Sequence, residues 1–496
     1  MTSESLYSKI LRSSAIYSVA VLVPMAVSVF MLPVFAKYLT TADYAVVELL
    51  ENTKNLFSMF IGGYFAESLY YYYAQVEFEW ERYRLLSTLM LGSLIVGFSG
   101  GALGFLLAPA FSLWVFESTS YTHYFHLVFI SFALSVPLEA GLAWLRARNN
   151  AASFTASALI RLFVQVGLTL WLLTSLKWGV SGVLWSNLVT SVVVASGLAI
   201  TCLAVNGIHF DWKLFFNFFH FSMPLGLSGL AMFVVNTADR FFLQRVIPLG
   251  ELGVYALAYK IGMLVSVVQS AFQSYWAAGV YEAVHGERAG SIFARVNTYQ
   301  LLAVTYFGLL IAVGASPFLH IAAPAYTAAL NYIPLIVIAY VIRAEADYFR
   351  HALYLDRKVG TDARINSTAA LFCLGAYALL IPMAGIWGAI AATISTFVLT
   401  FYMARWHLHQ HRLYWTELDR VTKLAVAAFV LGSLGFALRN APLPVTITYA
   451  VLAAIAYPVL LYLTRFFEPV EILSIQLRWD KLTHRRPDTF LHLDMK

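Results

Sequence analysis

The chain has 496 residues, of which 60% are hydrophobic and only 12% are charged. Because a soluble domain carries about 25% charged residues, this composition excludes an ordinary soluble protein. Apolar stretches recur along almost the whole length, which is more than one buried core requires. The sequence therefore predicts an all-α polytopic membrane protein. The net charge of +6 could suggest nucleic-acid binding, but the positions of the basic residues argue against it.

Fourteen apolar stretches are each long enough to cross a hydrocarbon core of about 30 Å. The second and the tenth carry several charges, which is unusual for a segment inside a membrane. In chain order, the predicted spans are 13–36, 45–70, 85–108, 124–145, 155–176, 181–204, 221–247, 252–276, 297–319, 331–354, 365–382, 386–404, 422–438 and 443–464.

The connections between these spans differ strongly in basic charge. One set, together with both termini, holds 22 lysines and arginines, and the opposite set holds 4. Basic residues accumulate on the cytoplasmic side of membrane proteins, so both termini are expected to be cytoplasmic.

Two pairs of segments reveal an internal repeat. "WGVSGVLWSNL" (178–188) resembles "AGIWGAIAATI" (384–394), and "LTTADYAVVELL" (39–50) resembles "IPLGELGVYALA" (247–258). The repeat predicts two lobes of six helices each, related by a pseudo-twofold axis along the membrane normal, with an extra C-terminal pair. The predicted division is an N-lobe (1–205), a cytoplasmic interfacial linker (206–220), a C-lobe (221–405), helices 13 and 14 (406–466) and a cytoplasmic tail (467–496).

Span ten carries three charges on one helical stripe, namely Arg343, Asp347 and Arg350 at i, i+4 and i+7. Ionisable residues inside a membrane usually face a bundle interior or a wet cavity. One interpretation is a cationic, partly paired stripe that lines a central cavity. The alternative is an ion pair that locks helices together, and Arg350 could also extend to the inner interface.

Span two has a polar face that includes Glu51 and Lys54, and Lys260 lies in the matching region of span eight. Two lysines that face each other across a cleft repel unless an anion lies between them, so they form a candidate anion site. The alternative is that Glu51 or the backbone neutralises each lysine.

Other polar residues inside the spans have two interpretations each. Glu67 and Glu139 are candidate proton or cation sites, or hydrogen-bonded parts of the scaffold. Asn236, Gln269 and Gln273 are candidate sugar contacts, or simply bind helices together. We expect no metal site and no cofactor.

The stretch from 221 to 282 carries a family resemblance. Its elements are Pro224, Asp239-Arg240-Phe241 and Gly253-x-Tyr255-x-x-x-Tyr259-Lys260-Ile261, and the Gly-x-x-Gly turns at 179–182 and 385–388 agree with them. They resemble the polysaccharide transporter branch of the multidrug/oligosaccharidyl-lipid/polysaccharide (MOP) exporter superfamily, the Wzx-type O-antigen flippases. If Pro224 marks the inner end of span seven, Asp239 and Arg240 lie in its outer third. There Asp239 is expected to tie span seven to a neighbour.

The resemblance implies a MATE-like fold and a flippase without enzymatic activity. Its substrate would be an undecaprenyl-diphosphate-linked oligosaccharide, moved from the inner to the outer leaflet of the bacterial cytoplasmic membrane for O-antigen, capsule or exopolysaccharide synthesis. Lys54, Lys260, Arg343 and Arg350 are then the candidates to meet the diphosphate. Further partners would be membrane lipids and the polymerase or chain-length proteins of the pathway. H⁺ and Na⁺ are the candidate coupling ions, and the sequence does not distinguish them from coupling to the membrane potential.

Two other functions compete with this one. A cation-coupled drug exporter of the same superfamily typically places an acid in span one, and 13–36 contains none. A membrane-embedded polymerase or ligase usually needs a long outer loop, which this chain lacks. Lipid II is a less expected substrate, because span one has no basic residue beyond Arg12 at its inner mouth.

Overall fold

The computed structural model describes residues 30–283, 289–353, 359–409 and 416–469, and positions 23, 24, 27, 28 and 471. Span 13–36 is therefore described only in part, and the predicted tail lies outside the described residues from 472 onward. Every regular element in the described ranges is helical. The α-helices are α1 (30–38), α2 (Thr41–Phe60), α3 (Ser68–Tyr73), α4 (Glu79–Phe116), α5 (Thr122–Ala147), α6 (Ala151–Thr174), α7 (Gly179–Asn206), α8 (Trp212–Thr237), α9 (Asp239–Leu243), α10 (Leu249–Gly262), α11 (Val265–Ala283), α12 (Ala289–Ala322), α13 (Ile333–Ala352), α14 (Val359–His409), α15 (Leu418–Ala437) and α16 (Leu443–Leu463), with 3-10 helices at Phe65–Glu67, Thr119–Tyr121 and Pro324–Asn331.

The predicted class of polytopic helical membrane protein is confirmed. Ten helical stretches of the described chain are long and apolar enough to cross a membrane, or eleven if Pro324–Asn331 and α13 form one broken span. Helix α2 is not among them, because its 20 residues include four charges. The stretch 360–408 is counted as one of these ten, although it covers the two predicted spans 365–382 and 386–404.

Helix α14 doubles back at Gly385. Gly385 has φ +54° and ψ −127°, a conformation that glycine adopts at little cost. The Tyr377 hydroxyl lies 3.2 Å from Thr393 Oγ1 although the two residues are 16 positions apart. A straight helix would separate them by about 24 Å, so the halves on either side of Gly385 run antiparallel.

The turn at 179–182, which matches 385–388 in the repeat, also contains a glycine with positive φ. Gly179 has φ +55°, and Thr169 Oγ1 and Ser186 Oγ on the two sides of the turn lie 2.7 Å apart. Both Gly-x-x-Gly segments therefore begin with a positive-φ glycine at a point where the chain reverses direction. The division into two lobes stays a prediction.

Helix α2 starts at a capping box and ends earlier than the hydropathy pattern suggests. The Thr40 hydroxyl accepts from the Asp43 N–H (3.1 Å), and Asp43 Oδ2 accepts from the Thr40 N–H (3.1 Å). The helix ends at Phe60, just before Gly62 with φ +86°. Predicted span two (45–70) is therefore interrupted, and Glu67 lies in the 3-10 helix that follows.

Helix α8 runs without interruption from the predicted linker into predicted span seven. It begins at Trp212 and contains Pro224, which therefore does not mark a helix end. Asp211 caps it and forms an ion pair with Arg84 of α4. Burial alone raises the pKa of the Asp211 carboxyl, but N–H donors from Leu214 and Lys213 and the Arg84 charge outweigh it and bring the pKa below its usual range.

The chain divides into two compact units. The first comprises Met1–Lys260, Phe318–Tyr332 and Lys358–Met403, and the second comprises Ile261–Pro317, Ile333–Arg357 and Ala404–Lys496. In the second unit, the C-terminal pair α15 and α16 packs on α12 through an apolar cluster. Its members include Leu301, Leu309, Val313, Leu424, Leu431, Tyr457 and Leu461.

Within the first unit, α2 and α10 meet at Gly253. A Cβ at this position would overlap the Thr41 carbonyl oxygen, which is backbone and cannot turn aside. The glycine of the Gly-x-Tyr motif is therefore required for close approach of two helices.

We expect Gly253→Ala to destabilise the protein by about 1–3 kcal/mol, the usual cost of forcing a methyl group into a packed site. Thermal unfolding of the purified protein in detergent measures it. Gly197→Ala in α7 is the matched control, because a Cβ there meets nothing within 4 Å. Equal stability of the two variants would contradict this account of Gly253.

Candidate functional site

Helix α2 presents an acid that is held from two sides. Lys54 Nζ lies 2.5 Å from Glu51 Oε2. The other oxygen, Oε1, accepts from Asn187 Nδ2 of α7 at 3.1 Å. Asn187 Oδ1 in turn accepts from Gln165 Nε2 of α6 at 2.6 Å. A hydrogen-bonded chain from α6 through α7 to α2 thus fixes the Glu51 carboxylate, and Lys54 neutralises it.

The Asp-Arg pair of the family motif is buried and internally matched. Asp239 is fully buried and Arg240 is 4% exposed. Arg240 Nη1 donates to Asp239 Oδ1 (2.8 Å) and to the Asn236 carbonyl (2.9 Å). The Tyr255 hydroxyl donates to Asp239 Oδ2, and the guanidinium lies 4.3 Å from the Tyr259 ring centroid. In the structure, Asp239 therefore ties α9 to α10 through the tyrosine of the Gly-x-Tyr motif.

Two further contacts join this pair to α2. Arg240 Nε lies 3.9 Å from Glu48 Oε1. The half-buried Lys260 interacts with the Tyr44 hydroxyl and with the charges of Glu48 and Glu51.

Three acids and three bases thus share one region of the first unit, which we call the α2–α10 charge cluster. Its charges balance, because Glu48, Glu51 and Asp239 offset Lys54, Arg240 and Lys260. Sequence reasoning gave weight to the lysines and left their neutralisation open; in the structure, acids accompany both of them.

A cavity of about 490 Å³ lies between α2 and α8, next to this cluster. Asn236 belongs to both features, since its side chain lines the cavity and its carbonyl accepts from Arg240. The side-chain nitrogen of Asn236 donates to the Met232 carbonyl at 2.7 Å. The polar lining comes from Asn55, Ser58, Tyr64, Asn236 and Thr237, and the remainder from Met59, Gly63, Gly229, Met232 and Phe233.

In the second unit, Asp347 is the centre of a separate polar group. Arg343 Nε lies 3.5 Å from Asp347 Oδ2, and Arg350 Nη1 lies 2.9 Å from Oδ1. Gln269 Nε2 of α11 donates to Oδ2 at 2.8 Å. The stripe read from the sequence is therefore present as a paired group, with one acid between two arginines.

The remaining predicted site residues are Glu67, Glu139 and Gln273, and Gln273 lies one helical turn after Gln269 on α11. Glu139 pairs with Arg161 at 3.1 Å with both side chains partly exposed, and Glu67 is exposed. Gln273 is half-buried, and its Nε2 has no hydrogen-bond partner among the described residues. The substrate or coupling role of every residue named for the site stays a prediction.

Sequence reasoning missed one polar group altogether. Asn297, Thr298 and Gln300 of α12 are buried, and Asn297 Nδ2 donates to Glu345 Oε1 at 2.8 Å. The signal in the sequence was three polar residues within "VNTYQ" (296–300) of an otherwise apolar helix. No cluster of three or more His, Cys, Asp or Glu that could hold a metal ion occurs in the described ranges.

The fold is that of known flippases and exporters. It matches the structure of the lipid II flippase MurJ in an inward closed conformation with a TM-score of 0.69 at 13% identity, over 90% of this chain and 98% of that one. A mutant of the Vibrio cholerae MATE transporter VcmN matches with 0.53 at 14% identity, over 83% and 99%. An inward-facing multidrug resistance MATE transporter of the MOP superfamily matches with 0.53 at 16% identity, over 83% and 96%.

These likenesses define a multi-pass helical membrane protein with the fold of the MOP superfamily. No curated protein sequence matches the chain. The family model described as "Polysaccharide biosynthesis protein" matches residues 10–275, which is more than half of the chain. The chain belongs to this family, and the resemblance to the polysaccharide transporter branch is confirmed.

We expect Asp239→Asn to destabilise the protein by about 3 kcal/mol or more, because it leaves a buried guanidinium without its partner. Chemical unfolding in detergent measures the loss. Glu139→Gln removes a partly exposed ion pair and is the matched control, expected to cost about 1 kcal/mol or less. The double variant Asp239→Asn/Arg240→Gln should lose less than the sum of the single variants. Additive losses would show that the pair does not act as a unit.

Proposed function

We propose that this protein is a flippase for an undecaprenyl-diphosphate-linked oligosaccharide repeat unit. The observation that carries the proposal is membership of the polysaccharide biosynthesis family on a chain with the fold of flippases and exporters. In this proposal the protein is a carrier without enzymatic activity, lies in the bacterial cytoplasmic membrane with both termini cytoplasmic, and supplies O-antigen, capsule or exopolysaccharide synthesis. Its protein partners would be the polymerase and chain-length proteins of that synthesis.

The cavity between α2 and α8 supports the sugar part of this proposal. Amide and hydroxyl groups of Asn55, Ser58, Asn236 and Thr237 give donors and acceptors without net charge, which suits neutral hydroxyl-rich sugars. The Tyr64 ring adds an apolar surface on which a sugar face can pack. Gln269 and Gln273 remain further candidates for sugar contact.

The diphosphate needs cations, and Lys54 is our first candidate. It lies one helical turn before Ser58, on the same face of α2, and Ser58 lines the cavity. In the structure one contact of the Lys54 ammonium is with Glu51, and an ammonium has three N–H donors, so a phosphate oxygen can bind beside that carboxylate or replace it. Glu51 keeps its bond from Asn187 in either case. Lys260, Arg343 and Arg350 are the further candidates for phosphate contact.

Charge balance in the α2–α10 charge cluster has a consequence for coupling. Bringing an anionic diphosphate next to three acids and three bases makes the region negative overall. Uptake of a cation, H⁺ or Na⁺, would restore neutrality and would thus favour substrate binding. This is the physical reason to expect a coupling ion for such a substrate.

Lys54→Ala is expected to reduce surface glycan at least tenfold, since a charge-assisted hydrogen bond contributes about 1.5–3 kcal/mol. The measurement is surface glycan in cells that depend on this protein, with protein level determined in the same cells. Unpolymerised lipid-linked repeat units should accumulate on the cytoplasmic side, whereas loss of a polymerase would leave them at the outer leaflet.

Two control variants separate the cation from its ion pair. Glu51→Gln removes the pair but keeps Lys54, and should retain most of the glycan. Lys54→Ala/Glu51→Gln leaves no unpaired acid, and should be as defective as Lys54→Ala. Lys37→Ala, an exposed lysine, should have no effect. Normal glycan in Lys54→Ala and in the double variant would rule out Lys54 as the phosphate contact.

A further inference from the structure

Glu345 of α13 has a buried carboxyl group with only half of its hydrogen bonds made. Oε1 accepts from Asn297 Nδ2 of α12 at 2.8 Å. Oε2 is buried and has no hydrogen-bond partner among the described residues. Glu345 is the thirteenth residue of the helix, so it lies about 18 Å from Ile333 along the axis. This is deep within a segment that can cross a membrane.

Two side-chain amides of α12 lie beside Glu345, and each donates one hydrogen bond to α13. Asn297 uses Nδ2 on Glu345, and Gln300 uses Nε2 on the Ala344 carbonyl at 3.0 Å. This leaves Asn297 Oδ1 and Gln300 Oε1, both buried and both without a hydrogen-bond partner in the described part of the chain. Asn297 and Gln300 are three residues apart and share one face of α12. Three buried oxygens of this group therefore have no hydrogen-bond partner among the described residues.

Buried polar atoms in native proteins are nearly always hydrogen-bonded, so three acceptors together require an explanation. A proton on Oε2 converts one acceptor into a donor and removes the charge of the buried carboxylate. We propose that Glu345, Asn297 and Gln300 form a proton-binding site. The proton comes from water and forms one O–H bond on Oε2, and its release restores the carboxylate.

The charged surroundings allow this proton to leave again. Among the described residues, Arg405 of α14 is a charged side chain near Glu345, and its guanidinium lies 5.7 Å from the Phe349 ring centroid. Tyr348 is a titratable neighbour, and its hydroxyl donates to the Phe293 carbonyl at 2.8 Å. The Asn297 donor and the Arg405 charge both stabilise the carboxylate, while burial favours the protonated acid.

Asp347, two residues further along α13, provides the internal contrast. It accepts from Gln269 and has an arginine on each side, so two cationic groups lie beside its carboxyl. Glu345 points to α12 and receives one amide donor. The use of its proton to drive transport rests on the proposed flippase function; the binding of the proton does not.

Infrared spectroscopy of the purified full-length protein in detergent, titrated with pH, tests the site without any substrate. We expect a protonated-carboxyl band in the wild-type protein near neutral pH that is absent from Glu345→Gln. Glu139→Gln, which removes a carboxylate already paired with Arg161, should retain the band. Glu345→Asp keeps a carboxyl group with altered surroundings and should shift the band, which assigns it even if Glu345→Gln is unstable.

Three results would overturn the proposal. The first is the absence of any protonated-carboxyl band in the folded wild-type protein near neutral pH. The second is a band that is unchanged in both Glu345 variants. The third is loss of the band on addition of NaCl but not of choline chloride at constant pH, which would assign the site to a metal cation. A failure of the flippase proposal would leave all these readouts intact.

Discussion

The requirement that every buried charge have a counter-charge governs this protein. Removing one partner of a buried ion pair costs about 3–5 kcal/mol, and the α2–α10 charge cluster contains six charged side chains. Asp239 and Arg240 satisfy each other, Tyr255 and Tyr259 surround them, and Glu48 extends the contact to α2. The orientation of α2, α9 and α10 follows from these contacts. The neighbouring cavity depends on them as well, because Arg240 holds the Asn236 backbone.

The two units differ in the groups that surround their buried acidic side chains. The α2–α10 charge cluster is balanced acid against base, and the Asp347 group is an acid between two arginines. Glu345 is surrounded by amides, and an amide compensates a carboxylate only in part. An acid among amides has no full counter-charge beside it, whereas the acid between two arginines has two. The proposed substrate contacts and the proposed proton site differ in this respect.

Much of the fold was predictable from hydropathy and glycine spacing. Where the predictions from sequence were wrong, the causes are physical. The turns at Gly179 and Gly385 were visible as a repeated motif, and both glycines have positive φ in the structure. The break in span two after Phe60 was missed because its flanks are apolar, although Gly62-Gly63 marks it. The start of α8 was misplaced, because an aromatic-rich sequence suits an interfacial helix and a spanning helix equally well. The environment of Glu345 could not be predicted, because its hydrogen-bond partner lies on α12. The spacing of polar residues along one helix does not show which residues of a neighbouring helix they contact.

Contact between backbones at Gly253 and Thr41 bears on how such a protein could move. Where side chains separate two helices, rotamer changes absorb small displacements. Where a helix backbone rests on a carbonyl oxygen, no flexible atoms lie between them. The two helices can pivot or slide at that point, but they cannot approach further, and any separation exposes a polar carbonyl. We therefore expect helices α2 and α10 to keep their separation at Gly253 in any motion of the first unit.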